Sequence, residues 1–452
     1  MGQLNVGFAR VNITPPMGIP VAGYYQLRLA ERVLDDLEAN ALALSDGKER
    51  LLLISADLLD LHAPFCNPIL RRISGRTGVP EDHIFLSCTH THTGPKLNGN
   101  EAPELQKQYF DFLAARMEDV CAFALQDLRP ARMGYGVSHA PNVAFIRRYR
   151  MKDGSTRTNP GIRNPDVVSP LGQVNDAVSL VRFDREGADT VLLVHFGCHP
   201  DTVGGCVISA DWPGFVRRTL EKTLDGVKCA FFNGAQGDVN HVNTTPTGGD
   251  NNDLSMDFDD VMRGYGHTRY MGRAVAGAAL QVYDKVRWCD ASRVSAAQRV
   301  IRCPSNRPKP EDLPQARLYS ALHRAGRDGE IPYQGMMLTT VVAEAERMLR
   351  LEHGPDDFAL RLSVAAVGPV ALAGIPGEPF TETGKAIAAA EGWSLVLPCC
   401  CTNGYENYFP LMDDYLTGGY EARSSLFRVG VAEEVAAGCL ALLEGLRAGQ
   451  KQ

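Results

Sequence analysis

The chain has 452 residues, 44% hydrophobic and 22% charged, with a formal net charge of −7. That is ordinary for a globular protein long enough to bury a large core. With no basic block it offers nothing to nucleic acid, and with no run of about 18 apolar residues it holds no transmembrane helix.

The opening MGQLNVGFARVNITPP lacks a basic segment followed by an apolar one, so no secretory signal is read in it. Arg50 to Leu61 follows an Asp46-Gly47 turn and reads as a buried strand. The segment PFCNPILRRISGRTG then reads as a short helix, and His83 to His92 as a second strand. Glu104 to Leu128 has apolar residues at helical spacing. Ala177 to His199 reads as a hairpin, and Cys229 to Asn240 as a strand ending in a Gly-rich turn. Thr268 to Val286 reads as a helix with Thr268 as N-cap. Residues 305–355 are charged and helical in pattern, an excursion from the core. Ala359 to Pro379 reads as another hairpin and Ala432 to Leu446 as a closing helix. The expected fold is α/β (α+β), with mixed β-sheets flanked by helices.

Twelve cysteines form no CxxC pair; Cys399, Cys400 and Cys401 are consecutive, and Cys88 and Cys198 lie in apolar runs. They read as reduced, mostly buried thiols of a cytoplasmic protein, not as a zinc knuckle.

Several apolar strands end in polar clusters: His90/His92, His199/Asp201, Asp238/Asn240/His241 and Glu378. Strand-end loops are where sheet proteins assemble sites. These clusters lie far apart in sequence, so they meet only if residues 1–452 fold as one catalytic unit. On an extended strand, His90 and His92 point to one face about 6.5–7 Å apart. Both can then bind a metal, one can bind metal while the other serves substrate, or the two can be a hydrogen-bonded strand end. Of His195 and His199, one is structural; His199, at the turn, is the better site candidate. Glu378 in AGIPGEPF is a metal ligand, a general base or a charge at a helix N-terminus. Two histidines, a glutamate and an open position make a catalytic zinc set, which acidifies water and polarises a carbonyl. The turn NGAQGDVNHVN can supply amides or an acid to an oxyanion.

Six segments then come in order. They are GFARVNITPPMGIPVAGYY, THTHTGP, GCHPDTV with ISADWPG, NGAQGDVN, GIPGEPFTETG, and NGYENYFPLMDDYLTGGYEARSSLF. Together they resemble the neutral/alkaline, non-lysosomal ceramidase family of zinc amidases over most of the chain. The resemblance implies one zinc ion held by His90, His199, Glu378 and Tyr408. It implies that His92 faces the substrate, that Arg147 (with Arg148 as the neighbouring alternative) contacts it, and that Tyr420 lies beside the scissile group.

Four departures stand out. Asn12 replaces the usual Asp. Asn240 occupies the position of a proposed nucleophilic serine, and His241 that of a proline. The chain ends soon after the tyrosine segment, so no carboxyl-terminal β-sandwich domain is expected. A carboxamide cannot replace a hydroxyl nucleophile, so zinc-bound water is the expected attacker. Asp238 is an orienting group or a turn cap, and His241 a base, a fifth metal contact or a turn histidine. The polar segment NTTPTGGDNNDLSMDFDD reads as a lid and not as a calcium loop. The expected function is a zinc-dependent amidase acting on a small molecule, more like a catalytic-domain-only bacterial relative than a true ceramidase. An ester or lactone hydrolase on the same zinc and a non-catalytic binding protein are the alternatives.

Overall fold

A computed structural model describes residues 3–450. Its larger sheet is built from β1 (Asn5–Asn12), β2 (Glu38–Ser45), β3 (Arg50–Ala56), β4 (Ile84–Cys88), β5 (Arg129–His139), β6 (Ala177–Arg185), β7 (Thr190–Phe196), β8 (Val227–Asn233) and β9 (Arg287–Cys289). The order is β8-β7-β6-β5-β1-β2-β3-β4, with β9 also paired to β5. A second sheet runs β10 (Val294–Pro304), β11 (Asp357–Val367), β12 (Val370–Gly374) and β13 (Leu395–Cys399), in that order.

Both faces of the larger sheet are covered, and the period-two alternation of its strands says by what. In β2, Ala39, Ala41 and Ala43 turn to one core, while Leu42 and Leu44 turn to another. The second core holds Ala365, Val367, Val370 and Leu372, so the two sheets pack face to face. The outer face of the larger sheet carries α1 (Ala63–Thr77), α2 (Pro103–Gln126), α3 (Asp211–Thr223) and α4 (Tyr265–Tyr283). Between β10 and β11 lie α5 (Leu313–Arg324) and α6 (Gly335–Glu352), which share a small cluster of Leu322, Ile331, Val341 and Val342. The outer face of the second sheet carries α7 (Thr381–Ala388) and α10 (Val431–Gln450). Two short helices, α8 (Met412–Thr417) and α9 (Tyr420–Ser424), precede α10. The order of layers is helices, sheet, sheet, helices.

Within these two sheets three pairs are parallel: β3 with β4, β7 with β8, and β12 with β13. A helix bridges each pair, namely α1, α3 and α7. Such crossovers leave the carboxyl ends of their strands free to build a site.

The elements differ from the sequence reading mainly at their ends. The strand expected to reach Leu61 stops at Ala56, and the one expected to reach His92 stops at Cys88. The strand that opens the Cys229 to Asn240 segment ends at Asn233, where the expected Gly-rich turn begins. In the first case the apolar run continues past the strand end, and in the second Thr-His-Thr-His does, so residue type does not mark either end. Thr268 is not an N-cap: α4 starts at Tyr265, and the Thr268 hydroxyl donates from inside the first turn to Gly264 O at 3.3 Å. All twelve cysteines are free, and only Cys206 and Cys289 are less than fully buried. Among the described residues, no helix is long and apolar enough to cross a membrane.

One buried ion pair ties the helix layer to the sheet edge that carries the histidines. Arg217 on α3 donates to Asp57 through Nη1 at 2.9 Å and Nη2 at 2.6 Å, with both side chains almost wholly buried. The same carboxylate accepts from Glu38 N–H at 2.9 Å and Thr89 Oγ1 at 3.2 Å. Removing one partner strands a buried charge. Arg217→Ala is therefore expected to lower the unfolding free energy by about 3–5 kcal/mol. In a double-mutant cycle with Asp57→Ala, measured by urea denaturation, the double variant should lose less than the sum of the singles.

Candidate metal centre

The donor groups gather just beyond the carboxyl ends of the parallel strands. After β4, Thr89 N donates to Ala56 O at 2.8 Å and His90 N to Leu58 O at 2.9 Å. His90 takes the left-handed φ of 72°. Residues 90–92 are therefore a turn, and the two histidines do not share a strand face as an extended reading supposes. They converge all the same, with ring centroids 5.0 Å apart, and His199, beyond β7, stands 5.2 Å from His90 and 5.6 Å from His92. One ligating nitrogen from each of the three lies within 4.8 Å of the others. The backbone at Gly23 (φ 104°) passes so close to His92 that a Cβ there would stand 2.7 Å from it.

Hydrogen bonds set the tautomers. His90 Nδ1 faces Leu59 O at 2.8 Å, and His199 Nδ1 faces Gln236 O at 2.8 Å and Val239 O at 3.0 Å. Carbonyls only accept, so both Nδ1 atoms carry hydrogen and both Nε2 atoms turn a lone pair inward. They meet Glu378 Oε2, 3.4 Å from His90 Nε2 and 2.9 Å from His199 Nε2. Glu378 is 1% exposed, and its Oε1 accepts from the Tyr405 hydroxyl at 2.5 Å. Among the described residues, Glu378 Oε2, His90 Nε2 and both ring nitrogens of His92 have no hydrogen-bond partner.

Glu378 and Tyr408 come together because Glu378–Pro379 pairs in parallel with Tyr408–Phe409, residue 378 opposite 408. The Tyr408 hydroxyl is 3.4 Å from His199 Nε2. Burial and then the neighbouring Glu378 charge push its pKa well above the ordinary phenol value. Burial opposes ionisation of Glu378, but His90 and then His199 outweigh it and hold the carboxyl well below its usual range. Burial keeps His92 well below the usual imidazole value and therefore neutral. A carboxylate, two pre-set imidazoles and a phenol, buried and facing one another, fit a borderline cation such as zinc.

Arg147 Nε donates to Glu421 Oε1 at 2.7 Å, and Nη2 donates to Gly237 O at 2.8 Å and to the Tyr408 hydroxyl at 3.1 Å. Arg148 turns away to Asp414, at 2.6 Å. Of the two arginines, Arg147 is the one at the site. Tyr420 packs beside Tyr408, ring centroids 5.6 Å apart. Asp238 Oδ1 accepts from Thr381 N and Oγ1, both at 2.8 Å, and so holds the start of α7 just after Glu378. Asn240 is fully buried and bonded to Asn159 at 3.0 Å. His241 lies outside the three-histidine group, its Nδ1 on Asp201 at 3.1 Å and its Nε2 on Met262 O at 2.6 Å.

Two cavities open from the centre. The more enclosed of the two, about 70 Å³, is lined by His92, Arg147, Asn159 and Arg263, among others. The more open one, about 550 Å³, reaches His90, Glu378 and Tyr405 and carries Lys96, Glu101, Arg324 and Arg350. Tyr24, Tyr25, His92, His323, Tyr408 and Tyr420 border both. Sequence reasoning missed Tyr24, Tyr405, Asn159 and the contributions of α5 and α6. Of these, Tyr24 and Tyr405 left a signal, in lying within the first and last of the six ordered segments. The segment read as a lid supplies Phe258 and Asp259 to the wall of the enclosed cavity.

No family model matches the sequence, and no curated protein matches it. Solved structures do. A neutral ceramidase from Pseudomonas aeruginosa is 17% identical, with a TM-score of 0.73 over 99% of this chain and 75% of that one. A ceramidase complexed with C2 is 18% identical, with a TM-score of 0.73 over 99% of this chain and 76% of that one. The fold is neutral-ceramidase-like. That is the fold expected from the six ordered segments.

In this neutral-ceramidase-like fold His195 stays out of the centre. It lies inside β7, and its Nε2 donates to Pro398 O at 2.8 Å, tying the larger sheet to β13. Burial lowers its pKa to about 4, so it folds neutral. The unfolded chain binds the proton more tightly, so this contribution to stability is complete above about pH 6.5 and is lost as pH falls toward 4. The full swing is about 3 kcal/mol. His195→Gln keeps a donor for Pro398 and removes the titration. Urea unfolding at pH 7 and pH 4.5 should show a smaller loss for the variant than for the parent.

Proposed function

We propose that this chain is a zinc-dependent hydrolase that cleaves an amide-type C–N bond of a small molecule, with one zinc held by His90, His199, Glu378 and Tyr408. The observation that carries this reading is the set of buried acceptor atoms turned on one another, with both Nδ1 protons tied to carbonyls. Only a positive charge among them, a metal ion or the proton that Glu378 draws onto His90 against the effect of burial, satisfies them together. A zinc ion bound there supplies a Lewis acid, acidifying water and polarising a carbonyl.

The protein's own groups divide the remaining work. Neutral His92, with both ring nitrogens unpartnered, takes up or returns a proton and bonds the oxygen that gains charge. Tyr420, kept a phenol by burial and then by the neighbouring Tyr25, donates to the same oxygen or to the leaving group. Arg147 steadies Tyr408, and its Nη1, with no hydrogen bond among the described residues, is left for the substrate. Asp238 acts by position, locking α7 and with it the Glu378 turn. Asn240, buried and bonded through its carboxamide, is no nucleophile. The site draws on residues from Gly23 to Glu421, which supports one catalytic unit over residues 1–452.

Metal content and turnover measured on the same samples test this. His90→Ala and Glu378→Gln are expected to lose both zinc and activity. His92→Ala and Tyr420→Phe are expected to keep zinc and lose about 10²–10⁴-fold in kcat. Full zinc with an unchanged rate in His90→Ala would sink the assignment. Matched amide and ester substrates assayed in parallel separate the amidase from an esterase or lactonase.

A further inference from the structure

Asn240 does not touch the enclosed cavity, yet it decides what that cavity presents. Val242 N–H can only donate, and it donates to Asn240 Oδ1 at 3.0 Å. This fixes the Asn240 carboxamide and turns its Nδ2 to Asn159 Oδ1, at 3.0 Å. Asn159 is fixed in turn: its oxygen faces Asn240, and no hydrogen bond among the described residues reaches its Nδ2. Its side chain lines the enclosed cavity, on the wall shared with an outer groove. The backbone anchors it too, since Asn159 N donates to Arg147 O at 2.8 Å and φ is 45°, a conformation that asparagine tolerates well.

The other groups of that cavity sharpen the pattern. Polar groups stand open in it: the Tyr24 hydroxyl and both ring nitrogens of His92, one of them a donor in the neutral ring, are buried without partners among the described residues. Two of its carboxylates are engaged, Asp201 with His241 at 3.1 Å and Asp259 with Arg263 at 3.2 Å. Phe258, Met336, Leu338 and Val342 supply apolar wall beside them, so an arm that also carries an acceptor meets donors that a bare hydrocarbon leaves unsatisfied.

We infer that Asn159 is a specificity residue that donates its side-chain amide to a substrate oxygen, and that Asn240 is the positioning residue that aims it. This rests on the hydrolase reading and narrows it: the substrate is an amide whose arm in the enclosed cavity carries a further hydrogen-bond acceptor, and is not a plain alkyl chain.

Two zinc-anchored probes isolate the contact: 4-oxopentanohydroxamate and pentanohydroxamate, which differ by a ketone in place of a methylene. Their affinities for zinc-loaded protein are measured by isothermal titration calorimetry. The parent is expected to prefer the ketone about tenfold, the value of one such hydrogen bond. Asn159→Gly permits the same backbone and removes the donor. Asn159→Asp puts an oxygen in place of Nδ2. Asn240→Asp demands a donor from Asn159 and so turns its amide round. All three should abolish the preference, with zinc content and pentanohydroxamate affinity unchanged. Equal binding of the two probes by zinc-loaded parent, or a preference that survives both Asn159→Gly and Asn240→Asp, overturns the inference. A protein that takes up no zinc and binds neither probe overturns the hydrolase reading, and this inference with it.

Discussion

Acceptor atoms facing one another in a buried space are the constraint on which the rest of this molecule depends. Nε2 of His90, Nε2 of His199 and Oε2 of Glu378 converge from three separate parts of the chain. Buried groups of this kind are costly unless something satisfies them. The fold satisfies only one of the three directly, His199 Nε2, which the Tyr408 hydroxyl reaches at 3.4 Å, and leaves His90 Nε2 and Glu378 Oε2 without a hydrogen-bond partner among the described residues. It ties each Nδ1 to a carbonyl and Oε1 to Tyr405, which removes the freedom of these side chains to turn elsewhere. A centre held in this way is pre-organised for a cation rather than assembled by it.

The scaffold explains how residues so distant arrive together. His90 follows β4, His199 follows β7, and Glu378 follows β12; Tyr408 comes after β13. Each of these strands belongs to a parallel pair, and the two sheets are stacked with their carboxyl ends in contact. Cys400 N donates to Asn233 O and Cys88 N to Cys401 O, each at 3.1 Å, which joins the ends of β8, β4 and β13. The Asp57–Arg217 pair then fixes the height of the histidine turn through Thr89. Rigidity at the centre is thus inherited from the sheet-to-sheet core and not from the loops.

The cavities beside the centre mix apolar walls with open polar groups. The enclosed one sets the Tyr24 hydroxyl and the His92 ring against Phe258, Leu338 and Val342, and the open one carries charges of both signs. Asn240 and Asn159 extend this polarity through a chain of fixed carboxamides that begins at a backbone N–H. A substitution at one buried position can in this way change what the neighbouring surface recognises without entering it.

Turn-bounded apolar runs marked the strands in the segments at Arg50, His83, Ala177, Cys229 and Ala359, and helical pattern marked α1, α2, α4 and α10, because both are local properties. The order of the histidine, glutamate and tyrosine segments was likewise legible, since residue type and spacing carry it. Sequence could not say that the strand before His90 stops at Cys88, because Thr-His-Thr-His is as compatible with a strand as with a turn. It favoured His199 over His195 from its place at a turn, but only the tertiary structure shows the His195 ring bonded between the sheets. Asn159, the aim of Asn240 and the bond of Tyr405 to Glu378 were decided by tertiary structure alone. Their roles lie in contacts between residues 27 to 81 positions apart, and such contacts exist only once two sheets have stacked and their loops have been brought over the same end.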